Sequence, residues 1–309
     1  MTRQYCFWNM RSTTTIPSER NLPLVVLGAT GRLGKMLCFG LIMDHLRVHC
    51  LQSRRAGPGL TQADPLTDTD SLVLAARGAR VMIDLTGIVP TPDQPASVLD
   101  RNTDLACAAL EIAGRAGLVH VFLPSSGAIY GRQPGPSAED TPPSPVNAYG
   151  TAKWDMEQAV DRWCHAHPDG PGVTLLRIGN VAGADQLMST ATRGNVPQLC
   201  RFADGTSPRR SYIGPQAFAR CLLALTRAAM STHCPRRLNI AAPGAVGMDA
   251  LLDAAQIPWI PRPATPDDLP VLTMNTALLQ RLAPVSPGDS GATRIIADWQ
   301  AWRSSPVKP

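Results

Sequence analysis

The sequence predicts an α/β protein built on a doubly wound parallel sheet, with a small lobe formed by later segments of the chain. Three observations predict this fold class. Short apolar runs rich in β-branched residues recur along the chain, helical patterns separate them, and a glycine-rich turn joins the first run to the first helix. Strands that alternate with helices at this spacing are typical of parallel βαβ units.

The first predicted strand is the run "LPLVVLG", from Leu22 to Gly28. Its continuous apolar character is typical of a strand buried on both faces of a parallel sheet. The same pattern predicts strands at 48–53, 81–87, 120–126, 173–179 and 237–241. Helical periodicity predicts helices at 33–45, 71–78, 96–116, 148–167 and 215–230.

The order of these elements predicts two lobes. Residues 21–180 and 212–241 are expected to form a dinucleotide-binding domain, and residues 181–211 and 242–309 a substrate-binding lobe with short helices near 277–282 and 291–302. Residues 1–20 precede the first strand and are expected to be a disordered extension. The proline-rich stretch from Arg132 to Asn147 is expected to be a loop.

Composition excludes several classes of function. The net charge of +5 is scattered over the chain, without the basic run of a nucleic-acid-binding track. No apolar run is long enough to span a membrane, and the first twenty residues lack the apolar region of a secretory signal. Eight cysteines without a CxxC pair indicate reduced thiols. We therefore expect a cytoplasmic protein that acts on a small molecule, without a nucleic-acid, membrane or metal partner.

The turn "GATGRLG" carries Gly28, Gly31 and Gly34 between the first strand and the first helix. Glycines at this spacing permit a tight turn and let backbone amides approach a pyrophosphate, which also lies at the positive end of the helix dipole. Because the motif follows a buried strand and begins a helix, it predicts a Rossmann-type dinucleotide site. The residues expected to contact the cofactor are Gly28, Thr30, Gly31, Arg32, Leu33 and Gly34.

The second strand ends in "LQSRR", from Leu51 to Arg55. NAD-binding chains often have a carboxylate here for the ribose 2′-hydroxyl, and no acid occurs in this stretch. Arginine forks suit phosphate oxygens, so the stretch favours NADP over NAD, with contacts from Ser53, Arg54 and Arg55. The alternative is that both arginines form a solvated pair in an arginine-rich protein.

A rare lysine marks the candidate catalytic helix. Only three of the 29 basic residues are lysines, namely Lys35, Lys153 and Lys308. Lys153 follows Tyr149 by four residues in a predicted helix, so the two side chains share a face. An ammonium near a phenol lowers its pKa from about 10, which predicts a proton-transferring tyrosine.

Three motifs together resemble the extended short-chain dehydrogenase/reductase family, often called NAD-dependent epimerase/dehydratases. They are the glycine loop, "SSGAIYG" from Ser125 to Gly131, and "YGTAK" from Tyr149 to Lys153. The similarity begins near Leu22 and continues through "RIGNVAG", "RRSYIG" and "LNIAAPG".

The resemblance implies a role for each matching residue. Tyr149 would be the general acid/base, Lys153 its partner bound to the nicotinamide ribose, and Ser126 the hydroxyl that bonds the reacting oxygen. Thr86 and Gly87 match a turn at the end of a strand that lies alongside the bound cofactor. Asn180 and Arg210 match positions that touch substrate phosphates, although Arg210 also fits a solvated loop arginine. Relatives of this kind usually form dimers, so a homodimer is possible.

Two departures from the family pattern bear on the reaction. Members commonly follow the "SYI" motif with a histidine and acidic residues, whereas this chain continues with Gly214, Pro215, Gln216 and Ala217. The dehydratase branch usually places an Asp-Glu pair after the catalytic hydroxyl, where this chain has Gly127 and Ala128. This second departure argues against a dehydratase.

Three functions remain open at this stage. The first is an epimerase that transfers hydride at a carbinol or ketone carbon of a sugar-nucleotide-like or other small substrate, using NADP or alternatively NAD. The second is an NADPH-dependent ketone or aldehyde reductase. The third is a non-catalytic NADP-sensing regulator, which the presence of both Tyr149 and Lys153 disfavours.

Overall fold

The computed structural model of this chain describes residues 20–91, 94–192, 194–231 and 234–305. The extension predicted to be disordered, residues 1–20, lies outside the described residues except for Arg20. The strands are β1 Asn21–Leu27, β2 Arg47–Ser53, β3 Thr61–Gln62, β4 Val81–Asp84, β5 His120–Ser126, β6 Gly172–Ile178, β7 Asn180–Val181, β8 Gln198–Arg201, β9 Arg209–Arg210, β10 Tyr212–Ile213, β11 Arg237–Ile240, β12 Val246–Gly247, β13 Ile260–Pro263 and β14 Val271–Leu272. The helices are α1 Arg32–Met43, α2 Thr69–Ala76, α3 Arg101–Ala116, α4 Ala148–Ala166, α5 Gln186–Thr192, α6 Pro215–Ala229, α7 Met248–Ala254, α8 Ala277–Leu282 and α9 Ala292–Ser304.

A seven-stranded sheet with every pairing parallel forms the centre of the protein, in the order β11-β6-β5-β4-β1-β2-β3. The chain moves outward from β1 to β3 and then returns to place β4 on the other side of β1. This reversal leaves a crevice beyond the carboxyl ends of β1 and β4, which is where ligands bind in open α/β sheets. The predicted doubly wound parallel sheet is therefore confirmed.

Both faces of the sheet are buried, as the continuous apolar runs predict. In β1, Leu24 and Val26 pack into one core with α1 and α6. Val25 and Leu27 pack into the opposite core with α2, α3 and α4. Alternate residues of a strand point to opposite faces, so an all-apolar strand is suited to helices on both sides.

The structure differs from the predicted bounds in two places next to the crevice. Strand β4 ends at Asp84 rather than at Gly87, because the Asp84 carboxylate accepts hydrogen bonds from the backbone and side chain of Thr86 and turns the chain. Residues Ala96–Asp100 form a 3-10 turn, so α3 begins only at Arg101.

The segments predicted to form the substrate-binding lobe contain α8 and α9 where short helices are predicted, and also helices α5 and α7 and short strands that the sequence pattern does not reveal. Strand β9 lies between β12 and β14, β7 pairs with β10, and β8 pairs with β13. Leu187, Leu251, Ile295 and Trp299 belong to a third apolar core shared by these segments. The division into two lobes stays a prediction, which this separate core supports.

Helix α6 receives its N-terminal cap from a distant part of the chain. Asp298 of α9 accepts hydrogen bonds from the backbone N–H groups of Gln216 and Ala217, at 3.0 and 3.1 Å. A Cβ on Gly214 would lie 2.2 Å from the Asp298 carboxylate, so only glycine admits this approach. The acid missing from the start of α6 in the sequence is thus supplied by α9.

Within the described ranges, no helix is both long and apolar enough to cross a membrane. The seven cysteines among those residues are free thiols. No cluster of three or more His, Cys, Asp or Glu side chains in the same ranges is arranged to hold a metal ion.

We expect Asp298→Ala to lower the free energy of unfolding by about 1–2 kcal/mol, because it removes the acceptor for two orphan amides of α6. Urea denaturation monitored by circular dichroism measures the change. Asp155→Ala is the matched control, since Asp155 is exposed on α4 and its side chain bonds only Gln158 at 3.3 Å. Equal stability losses in the two variants would contradict the capping role.

Candidate active site

The glycine loop brings three backbone segments into close contact at the carboxyl end of β1. Gly28 has a φ of +76° and donates its N–H to Gln52 Oε1 at 2.8 Å. A Cβ on Gly28 would lie 2.8 Å from the carbonyl carbon of Leu85, and a Cβ on Gly34 would lie 2.2 Å from the Gly28 oxygen. These approaches leave no room for any side chain at either position, as a dinucleotide-binding turn requires.

A cleft of about 160 Å³ lies beside this loop, beyond the ends of β1, β2 and β4. The predicted cofactor residues that line it are Gly28, Thr30, Gly31, Ser53, Arg54, Arg55, Thr86 and Gly87. The structure adds residues that the sequence analysis did not propose, namely Gln52, Asp64, Pro65, Leu66, Leu85, Ile88, Arg101 and Leu105.

Three predicted cofactor residues of the loop occupy other positions. Arg32 donates from Nη1 to Ser189 Oγ on α5 at 2.9 Å. Leu33 packs against the apolar core around α1 and α6. Gly34 lies buried beneath Gly28 and supports the turn from below.

The end of β2 is fixed by side chains that bond to the loop beside it. The Gln52 amide accepts from Gly28 N and donates from Nε2 to Ala63 O at 2.5 Å. Ser53 Oγ shares a 2.6 Å hydrogen bond with Thr30 Oγ1 and accepts from Arg55 N at 2.9 Å. Gln52 and Ser53 therefore shape the wall of the cleft, whereas the side chain of Arg54, 65% exposed, extends into solvent.

An acid does reach this part of the cleft, although none follows β2 in the sequence. Asp64 comes after the two-residue strand β3, and its Oδ2 lies 3.8 Å from Arg54 Nη1. The cleft therefore contains a carboxylate, although the stretch at the end of β2 has none. The strand that carries Asp64 to the cleft is too short to give a recognisable sequence pattern.

Helix α4 presents the candidate acid/base. Asn147 begins the helix by accepting a hydrogen bond from Gly150 N at 2.8 Å. Burial raises the pKa of the Tyr149 phenol, while a hydrogen bond with Ser126 and the positive charge of Arg32 oppose this rise. Tyr149 and Ser126 thus meet as predicted, and the phenol is in its protonated form at neutral pH.

Lys153 is buried, with 3% of its surface exposed. Its Nζ donates to Pro124 O on β5 at 2.7 Å, and a Cβ on Gly87 would lie 3.7 Å from that Nζ. Burial lowers its pKa to about 8, against the opposing charges of Asp84 and Glu157. Burial thus raises the Tyr149 pKa instead of the expected lowering, the ammonium lies near the turn at Gly87, and its action on the phenol stays a prediction.

Asp84 is a functional candidate that the sequence analysis missed. Its side chain is 1% exposed, and Oδ1 accepts from Thr86 N at 2.8 Å and from Thr86 Oγ1 at 2.5 Å. Burial raises the pKa of this carboxyl to about 6, although the bonds to Thr86 and the charge of Lys153 lower it. The only sequence signal was an acid within an otherwise apolar strand.

A buried ion pair fixes α4 against the sheet. Glu157 accepts from Arg177 Nε and Nη2 of β6 at 3.0 and 2.8 Å, and from Ser125 Oγ of β5 at 2.5 Å. Arg237 of β11 adds a bond at 3.2 Å. Ser125, the neighbour of the candidate catalytic Ser126, therefore serves as a structural donor.

The predicted substrate residues Asn180 and Arg210 lie on the short strands β7 and β9. Asn180 is half-buried in β7, and its N–H bonds Ser211 O at 2.9 Å. Arg210 donates from Nη2 to Leu269 O at 2.8 Å and from Nη1 to its neighbouring carbonyl groups. Its guanidinium thus holds β9 to the segment before β14, which leaves a phosphate contact as a prediction.

The space beside Gly127 is filled by Met274. A Cβ on Gly127 would lie 2.8 Å from Met274 Sδ, and a Cβ on Gly179 would lie 2.8 Å from its Cε. Met274 is buried against Ile129 and Tyr130. A longer side chain at position 127 would have to displace this methionine.

Comparison with known proteins decides the family. The model of the "NAD dependent epimerase/dehydratase family" matches residues 24–241. The chain belongs to this family. The match covers β1 to β11 and contains the glycine loop, Ser126, Tyr149 and Lys153, so the resemblance seen in the sequence is confirmed.

Among individual family members, the chain is 26% identical over 184 residues to N-acetyl-alpha-D-glucosaminyl-diphospho-ditrans,octacis-undecaprenol 4-epimerase of Escherichia coli O157:H7, covering 59% of this chain and 54% of that protein. The chain spans about half the length of the curated relatives it matches.

Solved structures extend the likeness of fold over nearly the whole chain. UDP-glucose 4-epimerase from Brucella ovis in complex with NAD is 19% identical, with a TM-score of 0.76 over 92% of this chain and 98% of that one. The NAD-dependent NDP-hexosamine 5,6-dehydratase TunA, involved in tunicamycin biosynthesis, is also 19% identical, with a TM-score of 0.72 over 93% of this chain and 98% of that one. One fold thus serves proteins of both reaction types.

We expect Gly34→Ala to abolish binding of a nicotinamide dinucleotide, because the new methyl would meet the Gly28 carbonyl at 2.2 Å and displace the loop. Fluorescence titration with NADH and NADPH measures the loss. Gly114→Ala on α3 is the matched control, since its Cβ would find ordinary contacts at 3.9 to 4.0 Å. Unchanged affinity in Gly34→Ala would contradict the assignment of the loop.

Proposed function

We propose that the protein is a nicotinamide-dependent epimerase or oxidoreductase of the extended short-chain dehydrogenase type. It would act on a carbinol or ketone carbon of a sugar-nucleotide-like or other small substrate. The observation that carries the proposal is the convergence of Ser126, Tyr149 and Lys153 on the carboxyl edge of the sheet, where Lys153 lies beside the turn that lines the dinucleotide cleft.

The residues of the cleft fit a dinucleotide. The glycine cradle at Gly28 and Gly34 gives a pyrophosphate access to the start of α1, and Thr86 and Gly87 would border its path toward Lys153. When bound, the nicotinamide supplies or accepts the hydride. The Lys153 ammonium has three N–H donors. One bonds Pro124 O at 2.7 Å and a second reaches Met156 Sδ at 3.9 Å, which leaves a donor for a ribose hydroxyl.

The proton steps belong to Tyr149 and Ser126. Because Tyr149 is protonated at neutral pH, its Oη is prepared to donate a proton to a substrate oxygen as a ketone is reduced. Ser126 Oγ would bond the same oxygen and hold it near the phenol. In the oxidising direction the phenolate takes the proton back, and the Arg32 charge stabilises this form.

Elimination of water is disfavoured by the surroundings of Ser126. Gly127 and Ala128 offer no second acid/base, and Met274 fills the space that a side chain at position 127 would enter. The comparison with TunA places a dehydratase among proteins of this fold, so this inference rests on the residues of this chain rather than on its fold.

Net reduction by NADPH is the second candidate function. Arg54 and Arg55 line the cleft and are exposed, as a pair that receives a 2′-phosphate would be. Structural neighbours such as the Brucella epimerase were solved with NAD, and Asp64 beside Arg54 weakens the positive field there. We propose NADP as the preferred cofactor and NAD as the alternative. A regulator without activity remains the third candidate, and turnover of any substrate would eliminate it.

We expect Tyr149→Phe to lower turnover by about 10²–10⁴-fold while cofactor affinity is retained, because only the proton donor is lost. Stopped-flow detection of cofactor reduction or oxidation, with sugar-nucleotide and simple ketone substrates, measures the effect. Tyr130→Phe is the control for loss of a buried tyrosine hydroxyl, since the Tyr130 hydroxyl donates to Asn239 at 2.7 Å and accepts from Arg177 at 3.0 Å. Retained turnover in Tyr149→Phe would mean that another group moves the proton.

We also expect NADPH to bind at least about tenfold more tightly than NADH at low salt, since a charge-assisted bond contributes ~1.5–3 kcal/mol and a factor of ten corresponds to ~1.4 kcal/mol. The ratio should fall as salt rises. Isothermal titration calorimetry measures both affinities.

Charge variants test the contributions of the two arginines and of the neighbouring Asp64 to cofactor affinity separately. The double change Arg54→Ala and Arg55→Ala should weaken NADPH and spare NADH, and Asp64→Asn should tighten NADPH. Arg77→Ala, an exposed arginine outside the cleft, serves as the charge control. Equal affinities for both cofactors at every salt concentration would show that Arg54 and Arg55 are a solvated pair that does not select the cofactor.

A further inference from the structure

We propose that Asp84 is a positioning residue for Lys153. The buried carboxylate of Asp84 provides the counter-charge that holds Lys153 in its ammonium form beside Gly87. The inference deepens the proposed function, since it assigns a residue that acts through Lys153, and it rests on that function for its catalytic meaning. The family resemblance assigns no role to Asp84, which ends the otherwise apolar strand β4.

The first support is geometric. Asp84 ends β4 and Pro124 lies near the end of β5, and these two strands are paired neighbours in the sheet. Lys153 reaches across from α4, bonds Pro124 O at 2.7 Å and approaches Gly87, three residues after Asp84. The carboxylate, the ammonium and the turn that borders the dinucleotide cleft are thus parts of one buried cluster.

The second support comes from the charged groups around the Lys153 ammonium. The carboxylates that act on Lys153 are Asp84 from β4 and Glu157 from its own helix. Glu157 is already bonded by Arg177, Arg237 and Ser125, so its charge is largely compensated. No arginine forms an ion pair with Asp84 within the described part of the chain, which leaves Lys153 as its cationic neighbour.

The third support is the cost of burial. A carboxylate and an ammonium that are 1% and 3% exposed are each unfavourable when alone, and each becomes tolerable near the other. The pKa of Asp84, raised to about 6, and that of Lys153, lowered to about 8, define a window in which both groups are charged. Neutral pH lies within this window, so the cluster is in its charged form when the protein operates.

A purely structural role for Asp84 makes a different prediction. If the carboxylate only turned the chain by accepting from Thr86 N, an asparagine would do the same through its amide oxygen. Asp84→Asn retains the shape and this acceptor but removes the charge, so it separates the two roles.

The small number of lysines permits a direct test in the full-length protein. With ¹³Cε-labelled lysine, NMR gives one signal each for Lys35, Lys153 and Lys308, and Lys35→Arg and Lys308→Arg assign two of them. We expect Asp84→Asn to lower the pKa of Lys153 by roughly one unit, the scale of shift that a nearby opposite charge produces. Asp155→Asn, which removes an exposed carboxylate two residues from Lys153, should leave it unchanged.

Binding supplies the second readout. With a one-unit shift, the ammonium fraction at pH 8 falls about fivefold, so NADPH affinity of Asp84→Asn should fall by a similar factor there and change little at pH 6.5. An unchanged Lys153 pKa in Asp84→Asn, or an equal shift in Asp155→Asn, would overturn the proposal. If Asp84→Asn does not fold, the wild-type Lys153 signal decides, since it must show a second inflection near pH 6 as Asp84 titrates.

The two readouts also separate this inference from the proposed function. If the Lys153 pKa shifts as expected but neither NADH nor NADPH binds at any pH, the charge coupling stands and the proposed function is wrong. If the cofactor binds and Lys153 titrates without regard to Asp84, the proposed function stands and the positioning role is overturned.

Discussion

The arrangement of the candidate site depends on the buried ion pair between Glu157 and Arg177. Glu157 lies one turn after Lys153 on α4, and its bonds extend to β5, β6 and β11. Because Arg177 is 1% exposed, the loss of either partner would leave an uncompensated buried charge at a cost of about 3–5 kcal/mol. The pair fixes both the rotation and the height of α4 over the sheet, and these determine where Tyr149 and Lys153 project.

The sequence predicted those parts of the fold and site that depend on local pattern. The apolar strands, the glycine loop and the spacing of Tyr149 and Lys153 each carry a signal within a few residues. Asp64 escaped notice because β3 has two residues and no periodicity. Asp84 was hidden in an apolar strand, and the orientation of Lys153 toward Pro124 follows from tertiary packing that an i, i+4 spacing does not encode.

Two features of the structure change how the electrostatics of the site are understood: Asp64 lies in the cleft, and burial raises the pKa of Tyr149. Burial raises the pKa of the Tyr149 phenol, and the charge of Arg32, which follows the glycine loop, lowers it. Arg32 also donates to Ser189 on α5.

The cap of α6 by Asp298 has a consequence for the order in which the chain acquires its structure during synthesis. Helix α6 and strand β11 leave the ribosome before α9, so the first turn of α6 has no carboxylate for its amides until residue 298 has emerged. Ile295 and Trp299, beside Asp298, also complete the third apolar core. Although domains commonly fold as units during translation, α6 reaches its final capped state only after α9 has been made.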